Sequence, residues 1–137
     1  GRASGGRLMR TLKGMSVPRT YPVDFKVALT GNDGPKGPVK QEIPNAKAWK
    51  ALFGVAPMPR FDPRYETLVV IALGLRRTGG FKVEVTGVTR QVGGVVGLLD
   101  TVRWREVKPA GGAIEILTHP FCVFVCAIAN SHPVFVP

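Results

Sequence analysis

Apolar residues in this chain recur mainly at every second position, the spacing of strands rather than helices. Val23, Phe25, Val27 and Leu29 alternate with Asp24, Lys26 and Ala28, which predicts a half-buried strand over Val23–Leu29. The next stretch, Thr30–Pro38, consists of turn-favouring residues and reads as a loop. Val39–Ile43 then reads as the returning strand of a long-looped hairpin. Thr67–Leu73 is continuously apolar and β-branched, the pattern of a central strand buried on both faces. After a break over Gly74–Gly80, Phe81, Val83 and Val85 point inward against Lys82, Glu84 and Thr86. Val88 breaks that parity, so Gly87 is expected to mark a bulge. Gln91–Gly94 turns the chain into a long strand over Val95–Val107, with Val102 and Trp104 facing away from Arg103 and Arg105. Lys108–Gly112 turns again. Ala113–Leu117 and Phe121–Ala129 are further strands, separated by Thr118-His119-Pro120, and His132–Pro137 adds a short last one.

One segment has helical spacing. Asn45 is a natural N-cap and Gly54 a natural C-terminal stop, and between them Trp49, Leu52 and Phe53 share one face of a helix over 46–53. With seven or eight strands, one short helix and no βαβ alternation, the expected fold is mostly β: an antiparallel sandwich or a partly open barrel. The expected organisation is a basic N-terminal arm over 1–22 and a single β-rich domain over 23–137.

Composition narrows the partners. The 137 residues are 45% hydrophobic and 20% charged, as in globular proteins, and long enough to bury a core without disulfide or metal staples. No apolar run reaches the roughly 18 residues of a membrane span. No secretory signal is visible, although a chain opening on Gly1 leaves a removed leader as an alternative. The net charge is +10. Arg2, Arg7, Arg10, Lys13 and Arg19 carry half of it with no acid among the first 20 residues, leaving 14 bases against nine acids for the rest. Such an arm suits nucleic acid, an anionic membrane or an acidic protein surface, or is a solvated tail.

Catalytic constellations are missing from the pattern. Ser4, Ser16 and Ser131 sit in no nucleophile elbow. Cys122 and Cys126 lie in an apolar strand without a polar neighbour to activate a thiolate, so inert buried thiols are expected. Four residues along a strand span roughly 13 Å, too far for a mutual disulfide. The same spacing argues against zinc on His119, Cys122, Cys126 and His132. No phosphate-binding or dinucleotide fingerprint is present, so neither cofactor nor metal is expected. Nucleic acid could use the arm and Arg103-Trp104-Arg105, but alternation turns Trp104 away from both arginines.

Strand order suggests one organised end. If 67–73 and 81–89 form a hairpin and 95–107 runs back, the Leu75–Gly80 and Lys108–Gly112 loops meet. Arg76, Arg77, Thr78, Gly79, Gly80, Phe81, Lys108, Gly111 and Gly112 would then form a partner-binding crown, with Arg2, Arg7, Arg10, Lys13 and Arg19 as a second set of contacts. Turns that merely close hairpins are the plain alternative.

These residues bring a family into view. A helix bearing Trp49, the strand Thr67–Leu73 ending at Gly74, the Thr78-Gly79-Gly80-Phe81 turn and the run Ile116-Leu117-Thr118-His119-Pro120-Phe121 leading into a last apolar strand together resemble the C-terminal domain of the PrcB family of protease-complex proteins. The likeness covers roughly Ile43–Ala129. It implies a non-catalytic, often exported or cell-surface subunit that assembles with a protease, and it carries no catalytic residues. The basic arm departs from that pattern, as does the absence of a lipoprotein cysteine at Gly1. A fainter likeness to chagasin-type cysteine-protease inhibitors rests on the Thr-Gly and Gly-Gly loops, though their Arg-Pro-Trp loop is missing. The expected function is therefore a non-catalytic protein–protein assembly subunit, with a homo-oligomer as one form of that assembly. Protease inhibition and electrostatic nucleic-acid binding are the alternatives.

Overall fold

The computed structural model describes residues 17–95, 97–111, 114–127 and 132–137. Over these residues it is a mostly β sandwich with one short helix and no closed barrel. The first sheet holds β1 (Arg19–Pro22), β6 (Lys82–Gly93), β7 (Gly97–Val107) and β10 (Val134–Val136), in the order β1-β6-β7-β10. The second holds β2 (Phe25–Gly31), β3 (Pro38–Ile43), β4 (Glu66–Leu73) and β9 (Phe121–Ala127), in the order β2-β9-β4-β3. A separate two-stranded ribbon pairs β5 (Arg76–Thr78) with β8 (Glu115–Thr118). Helix α1 spans Ala46–Phe53.

The second sheet is a middle layer. Its strands β4 and β9 are apolar at nearly every position because both of their faces are covered. Val69, Ile71, Leu73, Cys122, Phe124 and Cys126 face the first sheet, where Val83, Val85, Val88 and Val102 meet them. The intervening Leu68, Val70, Ala72, Phe121 and Val123 face the other way, into a second core with Ile43, Trp49, Leu52 and Phe53. Helix α1 closes that second core. The Asn45 side chain accepts the Ala48 N–H at 2.9 Å, and Gly54 takes a φ of 62° to end the helix. Trp49 stacks on Phe53 at 4.0 Å, and its indole N–H donates to the Ala56 carbonyl at 2.7 Å.

Sequence alternation predicts the strands better than their partners. Helix α1, the two-sided burial of Thr67–Leu73 and the bulge at Gly87 are all observed. Three expectations are corrected. The expected hairpin of the first two strands does not form: β2 and β3 are opposite edges of the second sheet, and β4 and β9 lie between them. Nor do β4 and β6 form a hairpin, since they belong to different sheets. The uniform alternation of 23–29 also fails. A bulge between Val27 and Leu29 sends Leu29 to the helix-side core, while Val23 and Phe25 stay between the sheets. The last four residues of the 1–22 segment form β1 against β6, so the sandwich begins at Arg19. Val23 is the corner where the chain passes between the sheets, with its N–H donating to the Val88 carbonyl at 2.8 Å. Strand β10 is found as expected, but it lies parallel to β7.

One end of the inter-sheet core is closed by charge. Arg90 and Asp100 point inward from paired positions and form a two-pronged ion pair at 2.7 and 2.9 Å, with side chains only 13% and 6% exposed. Arg90 also donates to the Ala127 carbonyl at 3.2 Å, tying the first sheet to β9.

The loop before β3 offers a clean test of packing. A Cβ at Gly34 would come within 2.7 Å of the buried Phe121 side chain, whereas one at Gly37 meets nothing within 4 Å. Gly34→Ala should cost about 1–3 kcal/mol in urea unfolding through overpacking. Gly37→Ala in the same loop should change stability by less than about 0.5 kcal/mol, as for surface substitutions; equal effects would refute this account.

Candidate functional site

The expected crown divides when placed on the fold. Gly80, at the start of the first sheet, lies against the loop after β7: a Cβ on Gly80 would sit 2.7 Å from that of Pro109. The Leu75–Gly80 and Lys108–Gly111 segments therefore do share one end. Arg19, in contrast, pairs with Val92 beside the β6–β7 turn, at the opposite end. Arg2, Arg7, Arg10, Lys13 and Gly112 lie outside the described residues.

Within the shared end, Arg76 is an anchor and not a free cation. Its Nε donates to Glu106 Oε1 at 2.7 Å, and its Nη1 donates to the carbonyls of Leu73 and Leu75 at 3.2 and 3.1 Å. Its guanidinium lies 5.8 Å from the Phe81 ring centre. Thr78 and Gly79 are occupied as well. The Thr118 hydroxyl donates to the Thr78 carbonyl at 3.3 Å, and the Gly79 N–H donates to the Ile114 carbonyl at 2.9 Å. The Thr-Gly segment, expected to be an open loop, thus serves the pairing of β5 with β8. Arg77, Lys108 and Gly111 remain exposed.

What this pairing displays was not foreseen. Strand β8 and the residue before it expose Ile114 at 76%, Ile116 at 55% and Leu117 at 65%, and Leu75 beside them is 45% exposed. In strand geometry Ile116 and Leu117 point to opposite faces, so both faces of the ribbon carry apolar surface. An isolated two-stranded ribbon is marginal in water, and this one is fixed to the body by Arg76–Glu106 and the buried Thr118. A cleft of about 320 Å³ beside it is lined by Arg77, Thr78, Glu115, Ile116 and Leu117. The sequence hid this site because an Ile-Glu-Ile-Leu run looks the same whether a sheet covers it or water does.

The other polar groups are absorbed by the fold. A larger groove of about 720 Å³ includes Asp24, Lys26, Arg60, Asp62, Tyr65 and Glu66 in its lining. Two of its acids are bound locally. Asp62 accepts from the backbone N–H and Nε of Arg64, which hold its carboxyl below the ordinary carboxylate range, and Glu66 Oε1 accepts the Asp62 N–H at 2.9 Å. No three His, Cys, Asp or Glu residues among those described are grouped to hold a metal ion. Burial pushes the thiols of Cys122 and Cys126 up to about 11, the inert character expected of them. Trp104 is turned inward as expected and packs against the inter-sheet core, with the Lys40 ammonium 4.9 Å from its ring centre. Its flanking Arg105 is paired outside with Glu84 at 2.9 Å. That arrangement leaves Arg103-Trp104-Arg105 no stacking platform for a base. No described helix is long and apolar enough to cross a membrane.

No family model, curated protein or solved structure matches this chain.

Two measurements check this picture. Arg76→Met should speed amide exchange across 76–78 and 115–118 by about fivefold while leaving the melting temperature nearly unchanged, the effect of losing a partly exposed ion pair worth roughly 1 kcal/mol. The thiols set a pH dependence. A raised thiol value means that burial favours the neutral form, so this contribution is fully present below the ordinary 9.0 and is lost as pH rises toward about 11. Stability should be flat in this respect near pH 8 and fall above pH 9. Thiol titration at pH 8 should be slow in buffer and fast in denaturant; fast labelling of the folded chain would refute the buried placement.

Proposed function

We propose that this chain is a non-catalytic protein–protein assembly subunit that docks through the β5–β8 ribbon. The carrying observation is the exposure of Ile114, Ile116 and Leu117 on a ribbon tied to the body by the Arg76–Glu106 ion pair. Apolar side chains left exposed on both faces of one short strand are unfavourable in water, and exposed apolar surface flanked by polar residues marks interaction sites. Here Arg77 and Glu115 flank Ile116 and Leu117, and the exposed Lys82 and Lys108 lie at the same end of the first sheet. The resemblance to the PrcB family supports the same reading, since its most specific element, Thr78-Gly79-Gly80-Phe81, begins in this ribbon and ends beside it. Under this reading the partner is a protein, with a protease complex as the setting the resemblance implies. The basic arm would lie on an acidic neighbour, adding affinity that falls with salt.

The test is the mass of the native assembly, measured by light scattering after gentle extraction of a tagged chain. The wild type should travel in a larger complex. The double variant I116D/L117D changes only exposed side chains and should return the chain to monomer mass with an unaltered melting temperature. A wild-type monomer, or a complex unaffected by the double variant, would overturn the proposal.

A further inference from the structure

We infer that the free edge of β8 is a strand-addition site for an extended partner segment that alternates β-branched apolar residues with carboxylates. This rests on the ribbon being the docking surface and adds the manner of docking and the chemistry of the occupant. Strand β8 has one strand neighbour, β5; just past its end His119 is bridged to the 32–34 loop, its N–H donating to the Asn32 carbonyl and its carbonyl accepting the Gly34 N–H, but over Glu115–Leu117 the other edge pairs with no described strand. Natural sheets usually protect such an edge with prolines, inward charges or a covering loop. The exposed part of β8 has none of these: Ile114, Glu115, Ile116 and Leu117 are all open to solvent. An added strand would satisfy the edge and turn a marginal two-stranded ribbon into a three-stranded sheet. Its alternate side chains would meet Ile114 and Ile116 on one face and Leu117 on the other.

Charge selects the occupant. Four ion pairs are formed by described residues: Arg64–Asp62, Arg76–Glu106, Arg90–Asp100 and Arg105–Glu84. None uses Arg77 or Glu115, which line the cleft beside the ribbon, Lys82 or Lys108, which lie at the same end of the first sheet, or Asp33, bridged to His119 just past β8. This end of the molecule therefore sets three unpaired cations against two acids, on a chain of net charge +10. A second copy would bring the same excess against it, whereas carboxylates on a partner strand would meet it.

The test uses the full chain and labelled peptides of about ten residues, long enough to span β8. One alternates valine with glutamate, a second alternates valine with lysine, and a third alternates serine with glutamate. The valine–glutamate peptide should bind at least about tenfold more tightly than either control, because apolar and charged contacts are both required. Saturating peptide should slow amide exchange in 114–118 by about tenfold or more, the signature of a newly paired edge. L117D, and independently I114D, should abolish both effects without lowering the melting temperature. Equal binding of the valine–lysine peptide, or binding without slowed exchange in 114–118, overturns the inference. So does concentration-dependent dimerisation that slows exchange at β8 without peptide, which would make a second copy the occupant. If no peptide binds but I116D/L117D still dissolves the native assembly, strand addition fails while the docking reading stands. If the native assembly also ignores that variant, both fall.

Discussion

The antiparallel pair β4–β9 is the constraint on which the remaining structure depends. Its residues alternate between two cores, Val69, Ile71, Phe124 and Cys126 to one side and Leu68, Val70, Phe121 and Val123 to the other. A strand pair that is apolar on both faces cannot rest against a single layer. It requires a second sheet on one side and a cover on the other, and the chain supplies β6–β7 and α1. Fully burying one such side chain contributes roughly 1.5–3 kcal/mol, so the pair drives a three-layer arrangement without disulfide or metal. The two cysteines fit the same scheme as small apolar residues facing the first sheet.

Polar residues define the two ends of this core differently. At one end Arg90 and Asp100 are buried as a matched pair, and removing either would strand the other's charge. At the other end Arg76 and Glu106 are partly exposed and hold the ribbon. The first arrangement seals the sandwich. The second positions a surface that the core does not need, which is why the ribbon and not the core bears the functional reading.

How much was legible follows from what each signal encodes. Capping chemistry is local, so Asn45 and Gly54 bounded α1 correctly. Two-sided burial of Thr67–Leu73 was readable because no polar residue interrupts it. The break of parity at Val88 located the Gly87 bulge, but the second bulge, between Val27 and Leu29, had no such mark, since Ala28 suits either face. Partner choice was not legible. Adjacent strands were expected to form hairpins, yet β2 and β3 sit at opposite edges and β4 and β6 in separate sheets, because tertiary burial outweighed sequence proximity. In the candidate site, the meeting of the Gly80 and Lys108 loops was foreseen, while the loss of Arg76 to Glu106 and the exposure of Ile116 and Leu117 were not. Both depend on which distant residues face them.

The strand order of the middle sheet has a consequence for biosynthesis. Strand β9 lies between β2 and β4, although more than forty residues separate β4 from it along the chain. A nascent chain that has emerged only through β7 therefore exposes one whole edge of β4, its most apolar strand, with nothing to pair against. The nucleus of the fold cannot close until Phe121–Ala127 has left the ribosome, and β10, which completes the first sheet, comes later still. At typical elongation rates of about 5–20 residues per second, that wait lasts seconds, long enough to make a holding chaperone valuable during synthesis.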